Sequence, residues 1–280
     1  MNAELRDFLT SRRARVTPEE AGLPVVPGAR RVPGLRREEV AQLAGVSVDY
    51  YVRLERGRKI NVSESVLDAL ARALRLNETE RAHLHTVARP TRRSAALPPQ
   101  RVRPGLRLAL DAMKDVPAML IGRRTDVLAA NDLARALYKD FEAEPPRERN
   151  MIRYTFLDPA SRELYDDWES NARLAVAVLH VYAGRHPHDP ALAELVGELS
   201  VRDEDFRRWW ADHDVHRHAH GSKRLHHPVA GELTLFYESL SVDGDPDMSI
   251  ALQTAEPGSP SEQKLRLLAS WAASAARSTI

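Results

Sequence analysis

Arg53 sits inside the segment SVDYYVRLERGRK (residues 47–59), with Arg56, Arg58 and Lys59 close behind it and Arg36 and Arg37 ahead. Arginine at this density is chemistry for anions and for guanine. Its planar fork of N–H donors meets a phosphate, or the O6/N7 edge of guanine, in two parallel hydrogen bonds. On these grounds Arg53 is the best base reader of the set. Asp49 is placed to accept from cytosine or to orient Arg53, Tyr50 to donate to a phosphate, and Val48 to touch a thymine methyl or to pack. Arg56, Arg58 and Lys59 fall at a glycine loop, suited to phosphates.

Such a face needs two short helices to hold it. Val40, Leu43 and Ala44 recur at helical spacing and form one apolar face. Glu38 and Glu39 stand in the first turn, where the helix dipole favours acids. Gly45 is the natural residue for a left-handed helix stop, and Ser47 is placed to cap the next helix. In that second helix Tyr51 and Leu54 pack inward with Val46, while Val48, Asp49, Tyr50 and Arg53 point out. A helix-turn-helix has this pattern, and it lets the second helix lie in a DNA major groove. A tight helical hairpin with a solvated charged face shares the same local signs.

The residues go further than the local signs. AQLAGVSVDYYVRLERGR resembles the core of Cro-type (xenobiotic-response-element family) repressor domains, with the family pattern matched at Ala41, Gly45, Val46, Ser47, Leu54, Glu55, Gly57 and Arg58. The resemblance implies DNA binding. It also places Arg37, beside Arg36 at the start of the first motif helix, against a phosphate or a base edge, and it puts Ser47 on the same candidate surface.

The chain has 280 residues, enough for two ordinary domains, and no cysteine, so disulfides, thiolate nucleophiles and cysteine-based zinc sites are excluded. That usage fits a reducing cytoplasm, the expected location. The first fifteen residues read as an amphipathic helix rather than a signal peptide. The longest apolar run, around 174–182, is too short to span a bilayer, so no membrane association is expected. Residues 1–107 carry 21 Lys and Arg against 12 Asp and Glu, and residues 108–280 carry 20 against 28, together the 41 and 40 of the whole chain. A basic front and an acidic back suit one nucleic-acid module joined to one that is not.

Five helices are expected in residues 1–89: 2–15, the two of the motif, 64–74 capped by Ser63, and 78–88 opened by Asn77 and Glu80 as a capping box. Residues 17–33, rich in proline and glycine, read as a long irregular connection. Residues 90–104, rich in proline, arginine and alanine, read as a linker. Residues 105–280 then change to mixed α and β. Helices are expected at 106–113, 131–138, 162–184, 191–199, 204–213 and 261–276. Strands are expected at 118–121 and 126–130, at 232–237, where the hydropathy period drops to two, and at 248–254.

This second half holds no Walker loop, GxGxxG, GxSxG or HExxH. Asp166, Asp167 and Glu169 form a carboxylate run of the kind that is usually a solvated face, so no enzyme activity is expected. In order along the chain come GRRTDVLAANDLA, RNMIRYTFLDPASRELY, GRHPHDPALAELVGELS, FRRWWADHDV, KRLHHPVAGELTL and TAEPGSP. Together these resemble the ligand-binding domain of MmyB-like transcription regulators. With the motif in front, the resemblance covers almost the whole chain. It implies a PAS-like domain holding a fatty-acid-type ligand. The family often has an aromatic residue before the asparagine that is Asn131 here, where this chain has Ala130.

A fatty acid needs an apolar tunnel and one cationic or hydrogen-bonding end. The tunnel candidates are Met119, Ile121, Leu128, Trp168, Val176, Leu179, Phe206, Trp209, Trp210, Leu235 and Tyr237, all of which also read as ordinary core. The head-group candidates are Arg153, His213 and Arg217, with Asn150 and Tyr154 behind them. His213, His216, His218, His220, His226 and His227 have the density of a zinc or nickel site, but read more simply as a polar loop before a strand, and neither metal nor cofactor is expected.

The fold expected is thus an all-α five-helix helix-turn-helix domain followed by an α+β PAS-like domain. The function expected is a sequence-specific transcriptional regulator binding double-stranded operator DNA as a homodimer and sensing a small, fatty-acid-like effector. The alternative is a constitutive DNA-binding protein whose second domain is a protein-interaction module.

Overall fold

The computed structural model describes residues 2–24, 32–58, 61–88, 99–215 and 220–278, the last six by backbone alone. The chain forms two compact units. The first comprises Met1–Ala96, His180–Ala193 and Arg208–Arg217, the second Leu97–Leu179, Glu194–Arg207 and His218–Ile280.

Five helices open the first unit: α1 (Ala3–Arg15), α2 (Arg37–Ala44), α3 (Val48–Glu55), α4 (Glu64–Ala73) and α5 (Glu78–Ala88). Each begins where a side chain satisfies an orphan backbone donor. Asn2 accepts from the Leu5 N–H at 3.1 Å, Ser47 from Tyr50 at 3.2 Å and Ser63 from Val66 at 3.3 Å. Asn77 and Glu80 form a reciprocal box, both bonds at 2.9 Å. The Arg36 backbone N–H, just ahead of α2, donates to the Glu39 carboxylate at 2.6 Å. Gly45 ends α2 at φ 66°, in the left-handed region that glycine enters without strain. Phe8, Leu9, Val40, Tyr51, Leu54, Leu67, Leu70 and Leu84 are buried in one core, to which the later segments of this unit add Val181 and Val215.

The second unit is built on a five-stranded antiparallel sheet in the order β2-β1-β5-β4-β3. Its strands are β1 (Ala118–Ile121), β2 (Val127–Ala130), β3 (His220–His227), β4 (Gly231–Val242) and β5 (Asp245–Thr254). The β1 run AMLI has no polar alternation because both its faces are covered. Met119 and Ile121 pack with Leu133, Tyr154, Leu233 and Leu235 on one side, while Ala118 and Leu120 pack with Leu110 and Met248 on the other. The later helices are α6 (Pro104–Ala112), α7 (Asp132–Leu137), α8 (Met151–Leu157), α9 (Pro159–Leu164), α10 (Trp168–Arg185), α11 (Pro190–Arg202), α12 (Glu204–Ala211) and α13 (Pro260–Ser278), of which the end of α10, the start of α11 and the end of α12 fall in the first unit. Helix α13 lies on α7 and β4. Glu142 ties three elements of this unit, taking Arg107 of α6, Arg135 of α7 and the Ala130 N–H of β2. The Arg107 guanidinium leads in holding its carboxyl down at about 2. The α+β fold expected from the sequence is this one.

Strand β4 runs twice the length expected at 232–237, and three further elements differ in kind from the sequence expectation. The helix expected over 162–184 is two helices, α9 and α10. Tyr165 takes an extended backbone and bridges to Leu225, and the Asp166 N–H donates to the Arg224 carbonyl at 3.1 Å. Asp167 then caps the new start, accepting from the Ser170 N–H at 3.0 Å. The histidine-rich stretch expected as a loop is strand β3 from His220 onward, paired along its length with β4. Helix α8 fills a stretch with no sequence expectation, with Asn150 accepting from the Ile152 and Arg153 N–H groups at 3.0 Å.

Candidate nucleic-acid interface and effector groove

Helix α3 presents two faces fixed by what lies beneath. Tyr51 and Leu54 are fully buried, which turns Val48, Asp49 and Arg53 outward and leaves Tyr50 half-buried at their edge. Arg36, Arg56 and Arg58 are also exposed. None of Arg53, Arg56 and Arg58 is ion-paired with a described residue, so their donors face water, as a surface waiting for phosphate and base edges requires. Asp49 makes no ion pair with Arg53 among the described residues. The hydroxyl of Ser47 is taken up with capping. Lys59 lies outside the described residues.

Glu55, present in the sequence reading only as a pattern position, is the residue that holds this face. It is 1% exposed, and its carboxylate is clamped by Arg13 of α1 at 2.5 Å and by Arg37 of α2. The Tyr51 hydroxyl, 3.3 Å away, completes the cluster; burial and the nearby Glu55 charge push the phenol well above its usual range. The clamp raises the Arg37 guanidinium above its ordinary value, the hydrogen bond to Glu55 being the main cause. Arg37, expected to touch DNA, therefore spends its strongest interaction inside the protein. It joins the start of α2 to the end of α3. Gly57 closes the motif at φ 65°, where its carbonyl accepts from the Asn2 N–H at 2.8 Å and a Cβ would lie 2.2 Å from the Asn2 oxygen.

The effector candidates are dispersed. Met119, Tyr154 and Leu235 are buried in one apolar core with Ile121 and Trp168 at its margin. Val176 and Leu179 are buried, and Leu128 packs on the opposite side of the sheet. Phe206 packs edge-on against Phe156, which in turn meets Trp168. Arg153 is buried and pairs with Glu198, which also takes Arg147 at 2.8 Å and Arg202 at 3.0 Å. Burial acts against the Glu198 charge, yet these arginines hold the carboxyl at about 2. Asn150 is committed to capping α8 and to the Arg124 carbonyl and Asp126 carboxylate, both at 2.8 Å. Trp209, Trp210 and His213 belong to the first unit. Arg217 lies outside the described residues, as do His216 and His218.

A groove of about 520 Å³ opens elsewhere on the second unit, beside the break between α9 and α10. Of the described residues expected at the ligand only Tyr237 lines it. Tyr165, Asn171, Leu174, Ser222 and Thr234 form other parts of the wall. Two cations line it, Arg224, which pairs with Asp166, and Lys223. Burial lowers that ammonium to about 8, and it donates to Asn171 Oδ1 at 2.7 Å with the Tyr237 ring centroid 4.7 Å away. Sequence reasoning passed over Lys223 because a lone lysine in a polar stretch reads as surface; its alternation with Leu225 along β3 was the available signal. Two of the three histidines of β3 are accounted for locally. His226 pairs with Asp166 at 2.8 Å, and the His227 Nδ1 accepts from the Val229 and Ala230 N–H groups.

Residues 102–268 match the family model of the MmyB-like transcription regulator ligand binding domain, and residues 4–84 match that of a helix-turn-helix domain. No curated protein matches the chain.

Proposed function

The chain belongs to the MmyB-like transcription regulators, helix-turn-helix DNA-binding proteins with a ligand-binding domain, and from that premise we propose which side chains read DNA and what the second domain senses. Helix α3 enters the major groove, Arg53 reads guanine, Asp49 and Val48 refine the choice, and Tyr50, Arg36, Arg56, Arg58 and Lys59 hold phosphates. The protein works as a homodimer on two half-sites about one helical turn apart. The observation that carries the reading is the exposed Arg53, without an ion pair among the described residues, on a helix whose opposite face, Tyr51 and Leu54, is locked in the core.

Operator sequences selected from a random pool, followed by titration of variants, test it. Arg53→Ala loses at least tenfold in operator affinity and relaxes the preference at one base pair, in line with the roughly 1–3 kcal/mol of a bidentate base contact. Arg56→Ala and Arg58→Ala weaken binding to all sequences alike and each lowers the salt slope by about one. An Arg53→Ala protein with unchanged affinity and sequence preference overturns the assignment of α3.

For the second domain the reading is a fatty-acid-like effector whose carboxylate meets Lys223 in the groove and whose chain is taken up by the neighbouring apolar residues. A charge-assisted hydrogen bond from a poorly hydrated ammonium is suited to a carboxylate. The tight burial of Met119, Tyr154 and Leu235 favours a second reading, a packed interaction module with constitutive DNA binding. Mass spectrometry of the purified protein, native and after solvent extraction, separates the two. A stoichiometric amphiphile lost from Lys223→Met supports the effector. Its absence, together with operator binding that added myristate or palmitate leaves unchanged, supports the module.

A further inference from the structure

Glu4, at the start of α1, meets His180 of α10 and His213, the second residue beyond α12, inside the first unit. Neither the DNA face nor the groove uses these residues. One ligand atom from each, a carboxylate oxygen and two imidazole nitrogens, lies within 4.8 Å of the other two. The Glu4 oxygen is 3.9 Å from His180 Nδ1. The atoms Glu4 Oε1, His180 Nδ1 and His213 Nδ1 are each sealed from water and lack a hydrogen-bond partner among the described residues, although only His180 is buried as a whole residue. Buried polar atoms without partners are rare in folded proteins and call for a cause.

The surroundings prepare the two imidazoles as ligands. His180 is fully buried, stacks on Trp210 with ring centroids 3.8 Å apart, and its Nε2 lies 2.9 Å from the Trp210 carbonyl. A carbonyl only accepts, so Nε2 donates to it, and Nδ1 is the ring nitrogen turned towards Glu4. A histidine whose far N–H is held by a carbonyl is how metal-binding imidazoles are oriented. His213 stands at φ 51°, and its carbonyl accepts from the Arg12 guanidinium, which fixes the turn that carries it. The remaining charges facing the cluster include His83, with Nε2 3.7 Å from the same Glu4 oxygen, Asp7, which acts on His213, and Arg12, whose own charge is met by Glu80 at 3.1 Å and Asp214 at 3.4 Å.

We propose that Glu4, His180 and His213 bind one divalent transition-metal ion of the zinc type, fastening α1 to the segments that the later chain contributes to the same unit. Two imidazoles and one carboxylate suit zinc, cobalt or nickel and not magnesium or calcium, which ask for oxygen cages. A metal at about 2.0–2.2 Å from each ligand requires the three to close by roughly 1 Å from their present spacing, a rotation within reach of the partly exposed Glu4 and His213. Three protein ligands leave a coordination position open for water or a small anion. Because the three come together only in the folded unit, the ion stabilises that unit by mass action.

The test uses the untagged full chain, stripped with a chelator and dialysed against zinc chloride, cobalt chloride or magnesium chloride. The expected result is one zinc per chain by elemental analysis, a visible cobalt spectrum of four- or five-coordinate type, and a melting temperature raised by zinc and not by magnesium. Glu4→Gln and His213→Gln each weaken zinc binding at least tenfold while keeping the wild-type melting temperature in chelator. They are used in preference to changes at the fully buried His180. Zinc at background level, or zinc held equally well by both variants, overturns the proposal. So does loss confined to a variant with His216, His218 and His220 changed to Asn, which would place the ion on the histidine run instead.

Discussion

At the scale of single residues, the argument about DNA turns on how each arginine is engaged. Arg53, Arg56 and Arg58 are exposed and without an ion pair among the described residues, whereas Arg37 has the same chemistry and is engaged by Glu55. Glu55 is an anion buried to 1% exposure, stable only while cations face it. Removing a buried ion's partners, or the ion itself, leaves the rest uncompensated, at a cost of about 3–5 kcal/mol for a fully buried pair. Glu55→Ala is therefore expected to lower the unfolding free energy by roughly 3 kcal/mol in urea melts, leaving Arg13 without its carboxylate. Arg37→Ala costs about 1 kcal/mol, because that side chain is nearly half exposed and Arg13 still serves Glu55. Operator affinity separates the two roles of Arg37. A loss well below that of Arg53→Ala marks it as a clamp, and an equal loss would restore it as a DNA contact. The outward arginines were legible in the sequence because a helix face is a local pattern. The Glu55 clamp was not, since its partners come from other helices, and spacing along one helix says nothing of what lies across a core.

At the scale of elements, legibility followed the physics of helix starts and of covered faces. The five helices of the first unit were readable because Asn2, Ser47, Ser63 and Asn77 cap them and Gly45 stops α2, signals that depend on a few neighbouring residues. Strands β1, β2, β4 and β5 were readable from short apolar runs and from the period of two. Strand β3 was not, because HGSKRLHH buries only Leu225 and His227 and owes its conformation to hydrogen bonds with β4 rather than to its own side chains. Helix α8 was missed for the converse reason. MIRYTFL is rich in β-branched and aromatic residues, and it is held helical by the Asn150 cap and by burial. The break between α9 and α10 is a tertiary event: every residue from Tyr165 to Asp167 tolerates a helix, and the bridge to Leu225 decides otherwise. That break matters to the candidate site, because Tyr165, Asp166 and Asp167 line the groove only once the helix is interrupted. The site was therefore less legible than the fold that carries it.

At the scale of the whole molecule, the charge asymmetry and the change of pattern after residue 105 show two kinds of structure in succession, yet the first compact unit is discontinuous in sequence. His180–Ala193 and Arg208–Arg217 pack with the N-terminal helices, adding Val181 and Val215 to their core and Asp214 to the partners of Arg12. Arg12 is 2% exposed, so its charge depends on Glu80, Asp214 and the His213 carbonyl being present together. A chain cut to residues 1–96 keeps all five helices and loses two of the three. It should still be helical by circular dichroism, because caps and local packing are intact. Its stability in urea should fall short of that of the same helices in the full protein, read from hydrogen exchange of their amides, by about 2 kcal/mol or more, the order of burying one aliphatic side chain. Arg12→Ala should then destabilise the full chain more than the fragment, since the fragment has already lost two of the three partners. Equal stability of the fragment and of the embedded helices would mean that the later segments add nothing to the DNA-binding unit. A deficit would mean that events in those segments, at His180 and His213 above all, are felt by the helices that carry Arg53 without any new contact to DNA.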